Sequence, residues 1–213
     1  MNKNYLDFMK KRPELFVNVP HGIEIITDEA IISEIEHNLN TTVGILHEDP
    51  YIMLIRDAVR FPDGKLGTYV RVYHRNTGGV SILVLCEDKV LLLKHFRHSL
   101  RNWLWETPRG FGEPGQTIKE NAVRELYEEI GVRPLSIEHL GTLDPDAGVI
   151  GARINLFVAR IAPDSKFIKE TAEGIESVEL FTKEQLKEAI LAGEITDGIT
   201  LSSLAYAKLK GII

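Results

Sequence analysis

The sequence predicts an α/β protein: a domain of alternating strands and helices, preceded by a smaller strand-rich N-terminal segment. Three observations carry this expectation. Short apolar runs crowd residues 43–74 with no helical period between them. Beyond residue 77, strand-like runs alternate with amphipathic helical stretches. The 213 residues are 44% hydrophobic and 26% charged, which suits one large globular domain or a domain plus a smaller unit.

In order along the chain, residues 2–12 are charged and mildly amphipathic, and Pro13 stops any helix there. Ile31, Ile32, Ile35 and Leu39 recur at helical spacing behind Asp28, a capping residue, so a helix is expected over Glu29 to Asn38. His21, His37 and His47 fit no metal spacing and read as surface or packing residues. VGILHE, YIMLIRDAVRF and GTYVRVYH read as strands, with PDGK at 62–65 as a turn between the last two. Tyr69 and Arg71 alternate with Val70 and Val72, so one face of the third strand is expected to be wet. Three strands and a helix make a thin layer that needs a further surface, from the main domain or a second subunit. NTGG at 76–79 marks the boundary, giving an N-terminal segment 1–76 and a domain 77–213.

VSILVLC and VLLLKHFRH then form a strand pair around the EDK turn. Arg97 closes the second strand and reads either as a clamp for phosphate or carboxylate or as a solvated arginine. Trp103 and Trp105 flank Leu104 in a pattern that favours core packing over base stacking. Thr117 and Glu120 have capping-box spacing, so a helix begins near Ile118, and Gly131 ends it. SIEHLGTL and RINLFVARI are strands, and the loop between them, DPDAGVIGA, reads as an active-site wall. SKFIKETAEGIESVEL is an acidic loop that leads into a strand. Thr182 and Gly193 bracket a helix, and a last helix is expected to turn Leu201, Leu204, Ala205 and Leu209 inward.

The formal net charge of -6 argues against a nucleic-acid backbone or an anionic membrane as the main partner. A phosphorylated small molecule stays open, because a bound metal inverts local charge. The single cysteine, Cys86, lies in an apolar run, so no disulfide forms within the chain and a cytoplasmic setting is expected. No apolar run approaches the length of a membrane span, and the N-terminus lacks the pattern of a secretory signal.

The chemistry concentrates in GFGEPGQTIKENAVRELYEEIGV, residues 110–132. At about 100° per residue, Glu125, Glu128 and Glu129 share one side of the helix, while Val123, Leu126 and Ile130 face another. Three carboxylates together repel, so the face is either well solvated or neutralised by a strong positive charge, for which hard divalent cations are suited.

This stretch resembles the Nudix box, Gly-x5-Glu-x7-Arg-Glu-U-x-Glu-Glu-x-Gly-U, with U aliphatic. Gly110, Arg124, Glu125, Leu126, Glu128, Glu129, Gly131 and Val132 match; Gln116 stands where the pattern has Glu. At residue frequencies of about 7%, six of seven fixed matches arise by chance on the order of 10⁻⁴ times in such a chain. DAVRFPDG, HFRH, WETPRG and GEITDGITLSSLAYAKL resemble the ADP-ribose pyrophosphatase branch of that superfamily. The resemblance implies a Nudix α/β/α sandwich around a mixed sheet, and a homodimer whose N-terminal strands help complete the substrate site. It implies hydrolysis of the pyrophosphate bond in a nucleoside diphosphate linked to another moiety, ADP-ribose or a nucleotide sugar, with Mg2+ or Mn2+. Glu125, Glu129 and Glu128, with the Arg109 carbonyl, would be metal ligands; Glu128, Glu173 and Arg124 would serve catalysis; Arg97, Glu106 and Arg71 would meet the substrate. Gln116 motivates a second reading, a Nudix-fold nucleotide-binding or regulatory module with little catalysis.

Overall fold

The computed structural model describes residues 3–75, 77–113, 115–168 and 174–213. The chain divides into two compact units, Met1–Arg75 with Asp146–Gly151, and Asn76–Pro145 with Ala152–Ile213.

The first unit is built on α1 (Lys3–Lys11), a 3-10 turn at Pro13–Phe16, β1 (Glu24–Ile25), α2 (Glu29–Leu39), β2 (Gly44–Glu48), β3 (Ile52–Arg60) and β4 (Leu66–His74). Asp28 caps α2 by accepting from the Ala30 and Ile31 N–H groups, as its position predicts. β3 is the central strand. β4 runs antiparallel along one edge, from Arg60↔Leu66 to Ile52↔His74, and β1 and β2 share the other. The hairpin turns at Gly64, whose φ of 85° favours a residue without Cβ. Ile32, Ile35, Val43, Met53, Ile55 and Ala58 form the core with Tyr5.

Asp57 is a charged group inside that core, 1% exposed. It accepts from Tyr5 Oη at 2.5 Å and from Arg71 Nε and Nη2 at 2.5 and 2.9 Å. Arg71 Nη1 also donates to the Leu15 carbonyl at 2.8 Å and to Tyr73 Oη at 2.5 Å, and the guanidinium lies over the Phe16 and Tyr73 rings. Burial, followed by the Asp57 charge, pushes the Tyr5 pKa up, so its phenol stays protonated and donates. This corrects the expected wet face of β4. Arg71 is 18% exposed, and Tyr69 Oη donates to the Gly148 carbonyl at 2.9 Å. The loop expected to wall an active site runs beside β4: Val72 N–H donates to the Val149 carbonyl, and Gly151 N–H to the Val72 carbonyl.

The second unit contains β5 (Thr77–Cys86), β6 (Lys89–Arg97), β7 (Asn102–Glu106), β8 (Arg109–Gly112), α3 (Ile118–Ile130), β9 (Ser136–Leu143), β10 (Ile154–Ile161), β11 (Ile175–Phe181), α4 (Lys183–Leu191) and α5 (Gly198–Leu209). Its sheet runs β11-β6-β5-β10-β9 and is mixed, with β5 parallel to β10 and the other pairs antiparallel. Successive β5 side chains alternate faces. Val80, Ile82, Val84 and Cys86 pack with Ala122, Leu126 and Ile130 of α3, whereas Leu83 and Leu85 pack with Leu186 and Ala189 of α4 and Leu204 and Ala207 of α5. The result is the expected α/β/α sandwich. On α5 the inward stripe is Thr200, Ser203, Leu204 and Ala207; Leu209 is 87% exposed and Ala205 is also outside. The apolar period misled here because two buried positions are hydroxyl residues with partners in the fold.

β5 and β6 pair only from Val84↔Leu91 to Cys86↔Lys89 and then diverge. Beyond that point β8 pairs with β5 and β7 with β6. Residues 106–109, which connect β7 to β8, therefore lie in a fork of the sheet. No helix among the described residues is long and apolar enough to cross a membrane.

Candidate active site

The fork delivers the chain into the glycine turn and α3. Thr117 and Glu120 form both bonds of the capping box, and Gly131 ends the helix at φ 72°. The Thr117 backbone N–H, then its hydroxyl, holds the Glu120 carboxyl below its ordinary pKa. Gly110 has a specific reason to lack a side chain: a Cβ there would overlap the Glu125 carboxyl group. Gly110→Ala should therefore push Glu125 aside. The expected cost is about 1–3 kcal/mol of stability and about a 100-fold loss of turnover from misplacement by about 1 Å. Denaturant titration and steady-state kinetics on the variant check both.

Arg124 lies among the box carboxylates. Its Nη2 donates to Glu125 Oε1 at 2.7 Å and to the Phe111 carbonyl at 2.9 Å, and its Nη1 to Glu128 Oε2 at 2.5 Å. Burial works against the guanidinium charge, but Glu125 and then Glu128 outweigh it and leave the Arg124 pKa raised. Glu113 Oε1 stands 3.9 Å from Arg124 Nη1, and Glu113 Oε2 accepts from Gln116 Nε2 at 3.1 Å. Gln116 thus reaches Arg124 only through a neighbouring carboxylate. Glu129 is 2% exposed and accepts the Arg109 backbone N–H at 3.0 Å.

Of the three box carboxylates, Glu125 lies against Gly110, Glu129 against the backbone of the adjacent Arg109, and Glu128, with half its side chain exposed, shares the Arg124 guanidinium with Glu125. Among the described residues no three acidic, His or Cys side chains are grouped to hold a metal ion. Glu173, expected to act from a later loop, lies outside the described residues.

Behind the turn, the Glu106 carboxylate is the hub of the fork and is 0% exposed. His95 Nδ1 lies 2.9 Å from Oε1 and Arg97 Nη2 2.6 Å from it, close contacts without hydrogen-bond alignment. Arg97 Nε donates to Oε2 at 3.0 Å, and Arg109 Nη2 donates to the same oxygen. Glu106, expected at the substrate, thus lies behind the turn with both oxygens engaged by the basic side chains around it. Arg97 keeps 28% of its side chain exposed. Arg71, also expected at the substrate, belongs to the other unit, where Asp57, Leu15 and Tyr73 engage its guanidinium.

Sequence reasoning missed Asp197, Thr200, Thr107 and His95. The available signal was an Asp before the last helix with a Thr three residues on, a capping spacing whose partner across the fold no local pattern reveals. Trp105 packs edge-on against Phe181 at 5.0 Å, as expected of a core residue, while Trp103 is 40% exposed beside Phe96.

A family model described as the NUDIX domain matches residues 75–199. The chain is 26% identical over 163 residues to the ADP-ribose pyrophosphatase of Bacillus subtilis, covering 75% of this chain and 86% of that protein. It is 25% identical over 170 residues to the CMP-5'-(N-acetyl-N-hydroxy-3-aminopropyl)phosphonate hydrolase of Streptomyces rubellomurinus, covering 78% and 81% respectively. Among solved structures, that of an ADP compounds hydrolase superposes with a TM-score of 0.65 at 19% identity, over 81% of this chain and 95% of that one, a likeness of fold.

Proposed function

The chain belongs to the NUDIX family and is a Nudix hydrolase, and from that membership we propose that it cleaves the pyrophosphate bond of a nucleoside diphosphate linked to a sugar, with ADP-ribose or a nucleotide sugar as substrate. The observation that carries the reading is the placement of two carboxylates one helical turn apart on α3, Glu129 buried and Glu125 nearly so. Glu125 fills the space a Cβ at position 110 would take, and Glu129 lies against the backbone of Arg109. Family members generally use divalent metal ions. The donors available here, carboxylate and backbone carbonyl oxygens, are of the kind a hard cation such as Mg2+ or Mn2+ takes. When bound, such ions offset diphosphate charge and acidify water.

In this reading Glu125, Glu129 and the Arg109 carbonyl hold the ions, and Glu128 and Glu173 orient the attacking water. Arg124 keeps the box carboxylates in place through Glu125, Glu128 and the Phe111 carbonyl. Arg97, braced on Glu106, offers its exposed edge to a phosphate or carboxylate. We further propose a cytoplasmic homodimer whose N-terminal units contribute to dimerisation and to the substrate site; the lone thiol of Cys86 supports the compartment.

The test is a panel of nucleotide sugars and ADP-ribose with Mg2+ or Mn2+ in water enriched in heavy oxygen. ADP-ribose should give AMP and ribose 5-phosphate, with one heavy oxygen on the phosphate that water attacked. Tight nucleotide binding by calorimetry with no phosphate ester released would replace this reading with that of a binding or regulatory module.

A further inference from the structure

We propose that Asp197 is a positioning residue for this hydrolysis: it sets the Arg109 backbone N–H against Glu129 by holding the segment 106–109 from the side of α5. The proposal deepens the reading above and rests on Glu129 being a metal ligand.

Asp197 caps α5, but capping uses only one of its oxygens. Oδ2 accepts from the Thr200 N–H at 2.9 Å and from Thr200 Oγ1 at 2.8 Å. Oδ1 accepts from Arg109 Nη1 at 3.0 Å. Asp28 likewise caps α2 with a single oxygen, but it is exposed. The Asp197 side chain is only 10% exposed, so its charge is carried largely by Arg109 and the end of its own helix.

Two routes run from Asp197 to the turn. In the first, Arg109 is shared between Asp197 and Glu106, two carboxylates shielded from solvent, so its planar guanidinium is clamped at both ends. In the second, Thr200 Oγ1, oriented by its bond to Asp197, accepts the Thr107 N–H at 2.9 Å. Thr107 Oγ1 lies 2.8 Å from Ser81 Oγ, and the Ile82 N–H donates to the Pro108 carbonyl at 2.8 Å. Thr107 and Thr200 are fully buried, so these bonds have no water to replace them. Residues 107, 108 and 109 are thereby each held, and the last presents its N–H to Glu129 Oε2. Groups behind a ligand that orient it in this way change metal affinity or activity by about 10- to 100-fold when removed.

Asp197→Ser separates positioning from helix capping, because Ser caps about as well as Asp but does not reach Arg109. The control is Thr182→Ala, which removes the cap of α4 away from the turn. On the full chain, Mn2+ affinity is read by electron paramagnetic resonance, together with kcat, KM and Tm. Asp197→Ser should weaken Mn2+ binding about tenfold and lower kcat with little change in KM, whereas Thr182→Ala should lower Tm alone. Asp197→Asn, which sets an amide N–H against Arg109 when its oxygen caps the helix, should move Mn2+ affinity in the same direction and serves if the Ser variant does not fold. Unchanged Mn2+ affinity in a folded Asp197 variant overturns the proposal. A wild-type chain that binds no Mn2+ and cleaves no diphosphate overturns the underlying reading and the proposal with it.

Discussion

Glu106→Ala should lower the unfolding free energy by about 3–5 kcal/mol, the usual cost of breaking a buried ion pair from one side. The carboxylate is 0% exposed, and it faces His95, Arg97 and Arg109. Removing it leaves two guanidinium groups crowded into the sheet fork, where Asp197 remains to pair with Arg109. Glu106→Gln keeps the shape but not the charge, and should fall between wild type and the alanine variant. Equilibrium denaturation with urea measures all three. A loss below about 1 kcal/mol for Glu106→Ala would mean that water reaches the two arginines easily, and the hub would then be no more than a surface ion pair.

Glu129→Gln should abolish most metal-dependent turnover, a loss on the order of 10³-fold, while leaving the fold intact. Gln has nearly the same size and keeps a carbonyl oxygen able to accept the Arg109 N–H, a bond of 3.0 Å in the native chain. What disappears is the negative charge. A variant with wild-type rate at saturating Mg2+ would remove Glu129 from the metal site. A variant that loses several degrees of Tm as well as activity would instead place its main contribution in packing. Steady-state rates over a range of Mg2+ concentrations, alongside a thermal melt, distinguish these results.

Much of the scaffold was legible because its signals are local. Thr117 and Glu120 cap α3 three residues apart, Gly64 turns β3 into β4, and the two faces of β5 follow from simple alternation. The box helix was legible for the same reason. The remaining contacts depend on how the fold brings residues together rather than on local pattern. Arg71 pairs with Asp57 on the neighbouring strand and also reaches Leu15, 56 residues away. Thr107 meets Thr200 across 93 residues, and that contact makes a polar α5 stripe burial-compatible. Glu106 is expected at the substrate from the family resemblance; only the fork shows that three basic side chains surround it. Gln116 is intermediate: its local neighbour Glu113 was visible in the sequence, but Glu113's approach to Arg124 depends on how the turn closes.

The tie between Arg109 and Asp197 spans 88 residues. During synthesis the glycine turn and α3 emerge well before α5, which carries their clamp. A ribosome that stops shortly before α5 therefore releases a molecule whose catalytic sequence is whole but whose turn has lost its support from that side. Damage at the C-terminus is felt far upstream, in chemistry that no residue of the missing helix performs.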